Sequence, residues 1–183
     1  TTLSGRVTAQ LEMSDSGVFE PTNAAAAFGK EGFSKKRDAA GYQVVVDTKG
    51  TLLWRDDSNS GTPLVVILSE AVTTEYLAYL DSLHISWIVC GKTRIDLRRA
   101  AEILYSEFGV ERMAIVGGGT INAAFLHAGL LDEVSILLGS GVDGRRGMTA
   151  TFDGLPMGTE PVNLKLTSVQ PYKDGAVWLR YTL

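Results

Sequence analysis

The segment MAIVGGGTINAAFLHAGLLDEVSILL, Met113–Leu138, decides the fold because it contains two apolar runs joined by a helical pattern. Met113–Val116 is typical of a buried strand. Apolar residues from Ile121 to Ala128 recur at helical spacing, and Gly129 is a natural helix stop. Val134–Leu138 predicts the second strand. A strand, a helix and another strand in this order predict a crossover unit within a parallel sheet.

Three consecutive glycines, Gly117–Gly119, lie between the first strand and the helix of this segment. A turn without Cβ atoms lets a ligand reach the backbone, and the free N–H groups of a helix start suit a phosphate or pyrophosphate. We therefore expect the N–H groups of Gly118 and Gly119 to face such an anion, with Thr120 capping the helix or donating its hydroxyl. Close packing of helix on strand is the alternative explanation of the glycines.

The glycines alone do not name the ligand. Asn122 and Ala123 stand where the dinucleotide pattern G-x-G-x-x-G has its third glycine, and the lysine of a phosphate-binding loop is missing. An anion site is therefore consistent with the motif, but the motif does not identify the anion.

The rest of the chain continues the alternation of strands and helices. Apolar runs predict three more strands, at Val44–Val46, Leu64–Leu68 and Ile85–Cys90. Leu77, Leu80 and Leu83 predict one helix, and Asp96 and Gly109 are the predicted cap and end of another. Near the C-terminus, Leu164–Thr167 and Val177–Tyr181 flank Asp174-Gly175 and predict a hairpin. We expect one three-layer α/β domain over residues 1–183, with a mostly parallel sheet closed by an antiparallel edge.

Composition narrows the classes of function. With 183 residues, 45% hydrophobic and 21% charged, the chain is typical of one globular domain. The net charge of −4 argues against nucleic acid or an acidic membrane as a partner, and no apolar run approaches the roughly 20 residues of a membrane helix. Cys90 is the single cysteine, so we expect a buried thiol, no disulfide and a cytoplasmic location. His84 and His127 lack the neighbours of a zinc site, and we expect no metal.

Three ordered motifs carry a family resemblance. IVGGGTINAAFLHAGLLDEVSILL followed by GVDGRRG resembles the dihydrofolate-reductase-like reductases, above all the C-terminal pyrimidine reductase domains of riboflavin biosynthesis. LSGRVTAQ, Leu3–Gln10, is similar to the Gly-Arg-x-Thr turn of that fold, and VVVDTKG, Val44–Gly50, is similar to its Val-Asp-Ser/Thr strand end. The resemblance implies a three-layer dihydrofolate-reductase-like fold and a homodimer.

The same resemblance implies a reaction and its site. The expected activity is NADPH-dependent reduction of a small-molecule substrate, a ribosylamino-pyrimidine phosphate, to its ribitylamino product. Residues expected to follow the cofactor pyrophosphate and ribose are Gly117, Gly118, Gly119, Thr120, Ile121 and Asn122. Those expected to line the opposite side are Gly5, Arg6 and Thr8, with Thr48 near the adenosine ribose phosphate. No catalytic acid is assigned.

Four further residues have two interpretations each. Lys49 is either the counter-ion of the cofactor 2′-phosphate or a solvated turn lysine. Ser69 either contacts the adenosine or starts a turn. Arg145 and Arg146 either bind a substrate phosphate or lie on a solvated loop.

The chain departs from the family pattern in two places. Val116 stands where many riboflavin-type reductases have a glutamate that contacts the substrate. The family also has a strand ending in Ser-x-Asp-Gly, and a helix, before the Gly-Arg-x-Thr turn, which this chain reaches within a few residues of Thr1. We expect residues before Thr1 to complete the sheet and the substrate pocket. The alternatives are an enzyme acting on a pterin or another small carbonyl or imine, and a nucleotide-binding module without catalysis.

Overall fold

The computed structural model describes residues 1–22, 25–148 and 150–183, which fold into a main sheet, four helices and a smaller sheet. The strands of the main sheet are β1 (Thr2–Gly5), β2 (Gly32–Ser34), β3 (Gln43–Val46), β4 (Ser58–Asn59), β5 (Thr62–Leu68), β6 (Ser86–Val89) and β7 (Ala114–Gly117). The helices are α1 (Arg6–Glu12), α2 (Thr74–Ser82), α3 (Leu97–Phe108) and α4 (Gly119–His127). The smaller sheet contains β8 (Glu133–Leu138), β9 (Lys165–Pro171) and β10 (Val177–Thr182).

The main sheet is mostly parallel, as the sequence predicts. Its strand order is β2-β6-β5-β3-β1-β7, with β4 paired to β5 beside this path. Strands β1, β3, β5, β6 and β7 run in the same direction, whereas β2 and β4 are antiparallel to their partners. The carboxyl ends of the parallel strands therefore lie along one edge of the sheet.

Helices cover both faces of this sheet, which confirms the three-layer architecture. Val45 and Val66 pack on the face that carries Tyr76 of α2. Val44 and Val65 pack on the opposite face, which carries Leu104 of α3. Each such buried aliphatic side chain contributes about 1.5–3 kcal/mol. Because both faces are buried, the parallel strands appear in the sequence as continuous apolar runs.

The predicted cap and end of α3 are confirmed, whereas the predicted capping of α4 by Thr120 is not found. The Asp96 carboxylate accepts from Arg99 N at 3.0 Å at the start of α3, and Gly109 ends that helix with φ +67°. Helix α4 begins after Gly118 without a side-chain cap, and Gly129 follows it with φ +63°. Among the described residues no helix is long and apolar enough to cross a membrane.

The C-terminal hairpin is confirmed, but it does not close an edge of the parallel sheet. Strands β9 and β10 are antiparallel, and Gly175 lies in their turn with φ +87°. Strand β10 pairs on its other side with β8, so these three strands form a sheet of their own. In the described parts of the chain no backbone ladder joins β7 to β8, so β8 does not enter the parallel sheet as the crossover predicted for Met113–Leu138 requires. A groove of about 860 Å³ lies between β7 and β8.

Candidate functional site

The strand order reverses between β1 and β7. From β1 the sheet extends through β3, β5 and β6 on one side, and β7 lies alone on the other. Open α/β sheets bind ligands beyond the carboxyl ends of strands at such a reversal. Here those ends are Gly5 and Gly117, which belong to the two predicted turns.

The two turns lie in contact. A Cβ on Gly5 would lie 3.6 Å from Ile121 Cβ and 3.8 Å from Gly117 O. A Cβ on Gly118 would lie 3.7 Å from Thr8 Oγ1 and 3.8 Å from Ile121 Cγ2. The topology therefore brings together residues of two segments that the sequence places more than 100 positions apart, and we call the surface at the junction of these two turns the crevice.

A different structural feature explains why each of the three positions, Gly117, Gly118 and Gly119, is a glycine. A Cβ on Gly117 would lie 3.0 Å from Thr8 Cγ2, which is a tight packing contact. Gly118 has φ +76° and ψ 124°, which L residues rarely adopt. A Cβ on Gly119 would overlap the carbonyl oxygen of Ala150. Close packing thus explains Gly117 and Gly119, both buried, whereas Gly118 is exposed.

The start of α4 remains partly open. The first N–H groups of a helix have no partner within it, and no side chain caps this one. Gly118 and Thr120 are exposed at this end. The segment Ala150–Gly154, which we call the strap, covers the side at Gly119, where Asp153 N donates to Gly119 O at 3.1 Å. An anion therefore has access to α4 from the side of Gly118.

The residues predicted on the adenosine side also lie at the carboxyl edge. Thr48 and Lys49 follow β3, with Thr48 half-buried and Lys49 exposed. Ser69 follows β5, is fully buried, and donates its hydroxyl to Thr48 O at 2.8 Å. The Ser69 hydroxyl thus holds the neighbouring turn, which favours the turn interpretation. Arg6 is exposed at the start of α1 and donates to Gln10 Oε1 at 3.0 Å.

Sequence reasoning missed the residue that fixes this turn. The carboxylate of Asp47 is fully buried and accepts from Thr51 N at 2.6 Å and Leu52 N at 2.9 Å. It therefore anchors the segment that carries Thr48 and Lys49. An aspartate three residues before Gly50 was the available signal, because aspartate commonly bonds to nearby backbone N–H groups in turns.

The remaining candidates, Arg145 and Arg146, lie on the loop that follows β8. Arg145 Nη2 donates to Asp143 Oδ2 at 2.7 Å, and this hydrogen bond lowers the pKa of the Asp143 carboxyl. Arg146 is exposed. Neither arginine has a hydrogen bond to the described residues of the two turns, which favours the solvated-loop interpretation.

The single thiol and the histidines carry no sign of a reactive or metal site. Burial raises the pKa of the Cys90 thiol to about 12, so it is a core residue and not a nucleophile at neutral pH. His127 is exposed at the end of α4. Over the described ranges, no group of three His, Cys, Asp or Glu side chains is placed to hold a metal ion.

Comparison with known proteins gives the family. The family model described as the RibD C-terminal domain matches residues 13–178, which is most of the chain. The chain belongs to the RibD C-terminal domain family. This confirms the family resemblance; the matched residues include the glycine turn and Val44–Gly50, whereas Leu3–Gln10 lies before them.

A curated relative with a named activity is similar to about half of this chain. The chain is 33% identical over 96 residues to the 2,5-diamino-6-ribosylamino-4(3H)-pyrimidinone 5′-phosphate reductase of Methanothermobacter thermautotrophicus. That match covers 52% of this chain and 44% of the relative, so the chain spans less than half of the relative's length.

Solved structures agree on the fold. A pyrimidine reductase-like protein of Corynebacterium diphtheriae matches with a TM-score of 0.69 and 16% identity, covering 100% of this chain and 75% of that one. RibD of Acinetobacter baumannii matches with a TM-score of 0.62 and 18% identity, covering 100% of this chain and 46% of that one. At these identities the likeness concerns the fold alone.

Proposed function

We propose that this domain delivers a hydride from NADPH to the ribosylamino group of a pyrimidine phosphate, giving the ribitylamino product of riboflavin biosynthesis. One observation carries the proposal: the crevice between Gly5 and Gly118 at the reversal of strand order, beside the uncapped start of α4. Membership of the RibD C-terminal domain family and the activity in the name of the archaeal relative support it.

The residues of the crevice fit a dinucleotide phosphate. At Gly5 and Gly118 the ligand meets backbone and not side chain, and the first N–H groups of α4 suit the pyrophosphate. Hydroxyls of Thr8 and Thr120 flank the same turn and can donate to phosphate or ribose oxygens. Arg6 adds an exposed positive charge. When bound, the nicotinamide supplies the hydride, and the work of these residues is to bind and orient it.

Turnover with three substrates tests this function against its alternatives. The protein extended upstream of Thr1 is mixed with NADPH and the ribosylaminopyrimidine phosphate, a dihydropterin, or a simple aldehyde, and the loss of NADPH is followed. We expect NADPH to be consumed with the ribosylaminopyrimidine phosphate and not with the dihydropterin or the aldehyde. Turnover with the pterin or the aldehyde alone would contradict the substrate. NADPH binding without turnover on any of the three would indicate the non-catalytic nucleotide-binding module.

Cofactor choice depends on the turn after β3. We propose that Lys49 pairs with the 2′-phosphate, because it is exposed at the carboxyl edge and makes no ion pair with the described residues. A charge-assisted hydrogen bond is worth about 1.5–3 kcal/mol, so NADPH should bind at least about tenfold more tightly than NADH. Lys49→Ala should narrow that ratio, whereas Lys165→Ala, at the far sheet, should not. Equal binding of the two cofactors by the unmodified protein would place the 2′-phosphate elsewhere.

We also propose that the groove between β7 and β8 holds one further strand. Helix α4 connects β7 to β8, yet these two strands do not pair in the described structure, and both line the same groove. At about 3.3 Å per residue, 4.8 Å between strands and 10 Å of thickness, a strand residue fills roughly 160 Å³. The groove therefore holds about five residues, which matches the lengths of β7 and β8. The family resemblance supports residues before Thr1 as the source of that strand.

Hydrogen exchange tests the added strand. Some amides of β7 and β8 donate to neither β1 nor β10. In the protein extended upstream of Thr1 these amides should donate to the added strand and should exchange as slowly as those of β1. In the chain that begins at Thr1 they should exchange faster. Equal exchange in the two proteins would contradict the added strand.

One face of the smaller sheet carries exposed apolar side chains, which favour a homodimer. Leu138, Leu166 and Val169 lie on the same face of this sheet, and each is at least half exposed. We propose that a second copy covers this face, because an apolar face of this kind favours burial in a subunit contact. Sedimentation of the unmodified protein should give a dimer, and Val169→Asp should shift it to the monomer. A monomeric unmodified protein would contradict the assembly.

A further inference from the structure

The strap, Ala150–Gly154, is fastened to the first turn of α4 by contacts from both sides. Asp153 N donates to Gly119 O at 3.1 Å, and Asn122 Nδ2 donates to Thr151 O at 2.8 Å. The oxygen of Ala150 occupies the space that a side chain at Gly119 would need. Gly154 lies against Thr120, its nearest atoms being 3.4 Å from a Cβ built on that glycine. A segment about 30 residues further along the chain thus fixes the start of this helix.

The hydrogen bond to Thr151 O determines how the side-chain amide of Asn122 is oriented. A carbonyl oxygen only accepts, so the side chain must present its N–H group to the strap. Its Oδ1 is buried without a donor among the described residues. One of the two N–H groups on Asn122 Nδ2 is therefore bonded to the strap, and the unpaired oxygen Oδ1 is an acceptor, which a phosphate would repel.

We propose that Asn122 and Gly119 are positioning residues that seat the strap, and that the cofactor contacts fall to the exposed Gly118 and Thr120. The bonded strap holds Gly119 in place, and Gly119 directly follows Gly118, whose backbone has φ +76° and ψ 124°. The donors at the start of α4 are then preorganised before a ligand arrives, which lowers the entropic cost of binding. The part of this inference that concerns the cofactor rests on the proposed function, whereas the seating of the strap does not.

Two substitutions of Asn122 distinguish a residue that holds the strap in place from one that contacts the cofactor directly. Asn122→Asp keeps the size and the acceptor oxygen but cannot donate to Thr151 O when ionised. Asn122→Ala removes both groups. Asn163→Asp makes the same change in charge at an exposed position and is the matched control. The readouts are hydrogen exchange of the Asp153 amide without ligand, the Kd of NADPH, and KM and kcat with the pyrimidine substrate.

If Asn122 seats the strap, both variants raise the exchange rate of the Asp153 amide and weaken NADPH binding by about threefold to tenfold. The KM for NADPH should rise with kcat nearly unchanged, and Asn163→Asp should match the unmodified protein in every readout. If Asn122→Asp binds NADPH normally while Asn122→Ala does not, the acceptor oxygen contacts the ligand and the inference is overturned. Unchanged exchange in both variants overturns it as well. If the unmodified protein binds no NADPH, the proposed function fails, and the exchange of Asp153 still tests the strap.

Discussion

The two turns of the crevice occupy equivalent places on neighbouring strands, yet they are built differently. The β1–α1 turn has one glycine, Gly5, in ordinary extended backbone with φ −81° and ψ 166°. The β7–α4 turn has three, including Gly118 with φ +76°. Both helices begin without a side-chain cap. The two turns differ in how closely their neighbours pack. Atoms of Thr8 and of the strap lie 3.1 Å or less from a Cβ built in the β7–α4 turn, whereas the nearest atoms to a Cβ on Gly5 are those of Ile121 at 3.6 Å. The number of glycines therefore reports packing as much as ligand contact.

Gly118→Ala should have the largest effect on the fold. An L residue at φ +76° and ψ 124° is strained whatever the space around it, at a cost of about 1–3 kcal/mol. For a domain of this size the Tm should fall by about 2–4 °C per kcal/mol. Thermal unfolding followed by circular dichroism measures the change. Gly109→Ala, also at positive φ with nothing near its Cβ, is the control for strain at a helix end away from the crevice. A Tm unchanged by Gly118→Ala would show that the turn relaxes to another backbone conformation.

Gly119→Ala should have the next largest effect, because its Cβ would overlap the oxygen of Ala150. The strap can move away, so the cost is limited to the strap contacts, and we expect about 1–2 kcal/mol. Chymotrypsin should then cut after Phe152, which is half-buried in the seated strap, faster than in the unmodified protein. Gly158→Ala, with nothing near its Cβ, should leave both the Tm and the cutting rate unchanged. An unchanged rate in Gly119→Ala would mean that the strap does not depend on this glycine.

The parallel sheet could be predicted from the sequence because its strands are buried on both faces. Continuous apolar runs such as Leu64–Leu68 have few alternative structures, and caps such as Asp96 act locally. The position of the hairpin could not be predicted in the same way. Pairing of β10 with β8 and not with the edge of the main sheet depends on contacts between distant segments. Strand β2 was also missed, because three residues containing a glycine have no detectable period.

The same distinction applies to the candidate site. Gly5, Thr8 and Gly118 could be placed together because each belongs to a recognisable turn at the carboxyl end of a strand. The strap could not be foreseen, because a loop of Thr, Phe and Asp has no pattern that points to the start of α4. The hydrogen bond of Ser69 to Thr48 O likewise depends on the neighbouring strand, which a linear pattern does not contain.

Gly117→Ala should have a smaller effect that depends on one neighbour. Its Cβ would lie 3.0 Å from Thr8 Cγ2 and 3.2 Å from Ser4 Cβ, so we expect a loss of about 1 kcal/mol. Thr8→Ser removes the nearest methyl group and keeps the hydroxyl. The double variant should therefore lose less stability than the two single variants predict together. Urea unfolding of the unmodified protein, the two single variants and the double variant measures the coupling free energy. If the two single losses of stability add up to the loss in the double variant, the turns move apart in Gly117→Ala and their contact is not the cause of the loss.

Gly5→Ala should have the smallest effect on the fold and is the cleanest test of the crevice. Its Cβ would lie in ordinary contact with Ile121, 3.6 Å away, and the backbone is not strained. Loss of chain entropy in the unfolded state offsets the small cost of alanine at a helix cap, so stability should stay within about 0.5 kcal/mol. On the proposed function, the added methyl group narrows the space between the two turns that bind the cofactor, and NADPH should bind about tenfold more weakly. Gly139→Ala, with nothing within 4 Å of its Cβ, controls for the change itself. Because the fold is retained, normal NADPH affinity in Gly5→Ala would mean that the β1–α1 turn supports the β7–α4 turn without contacting the ligand.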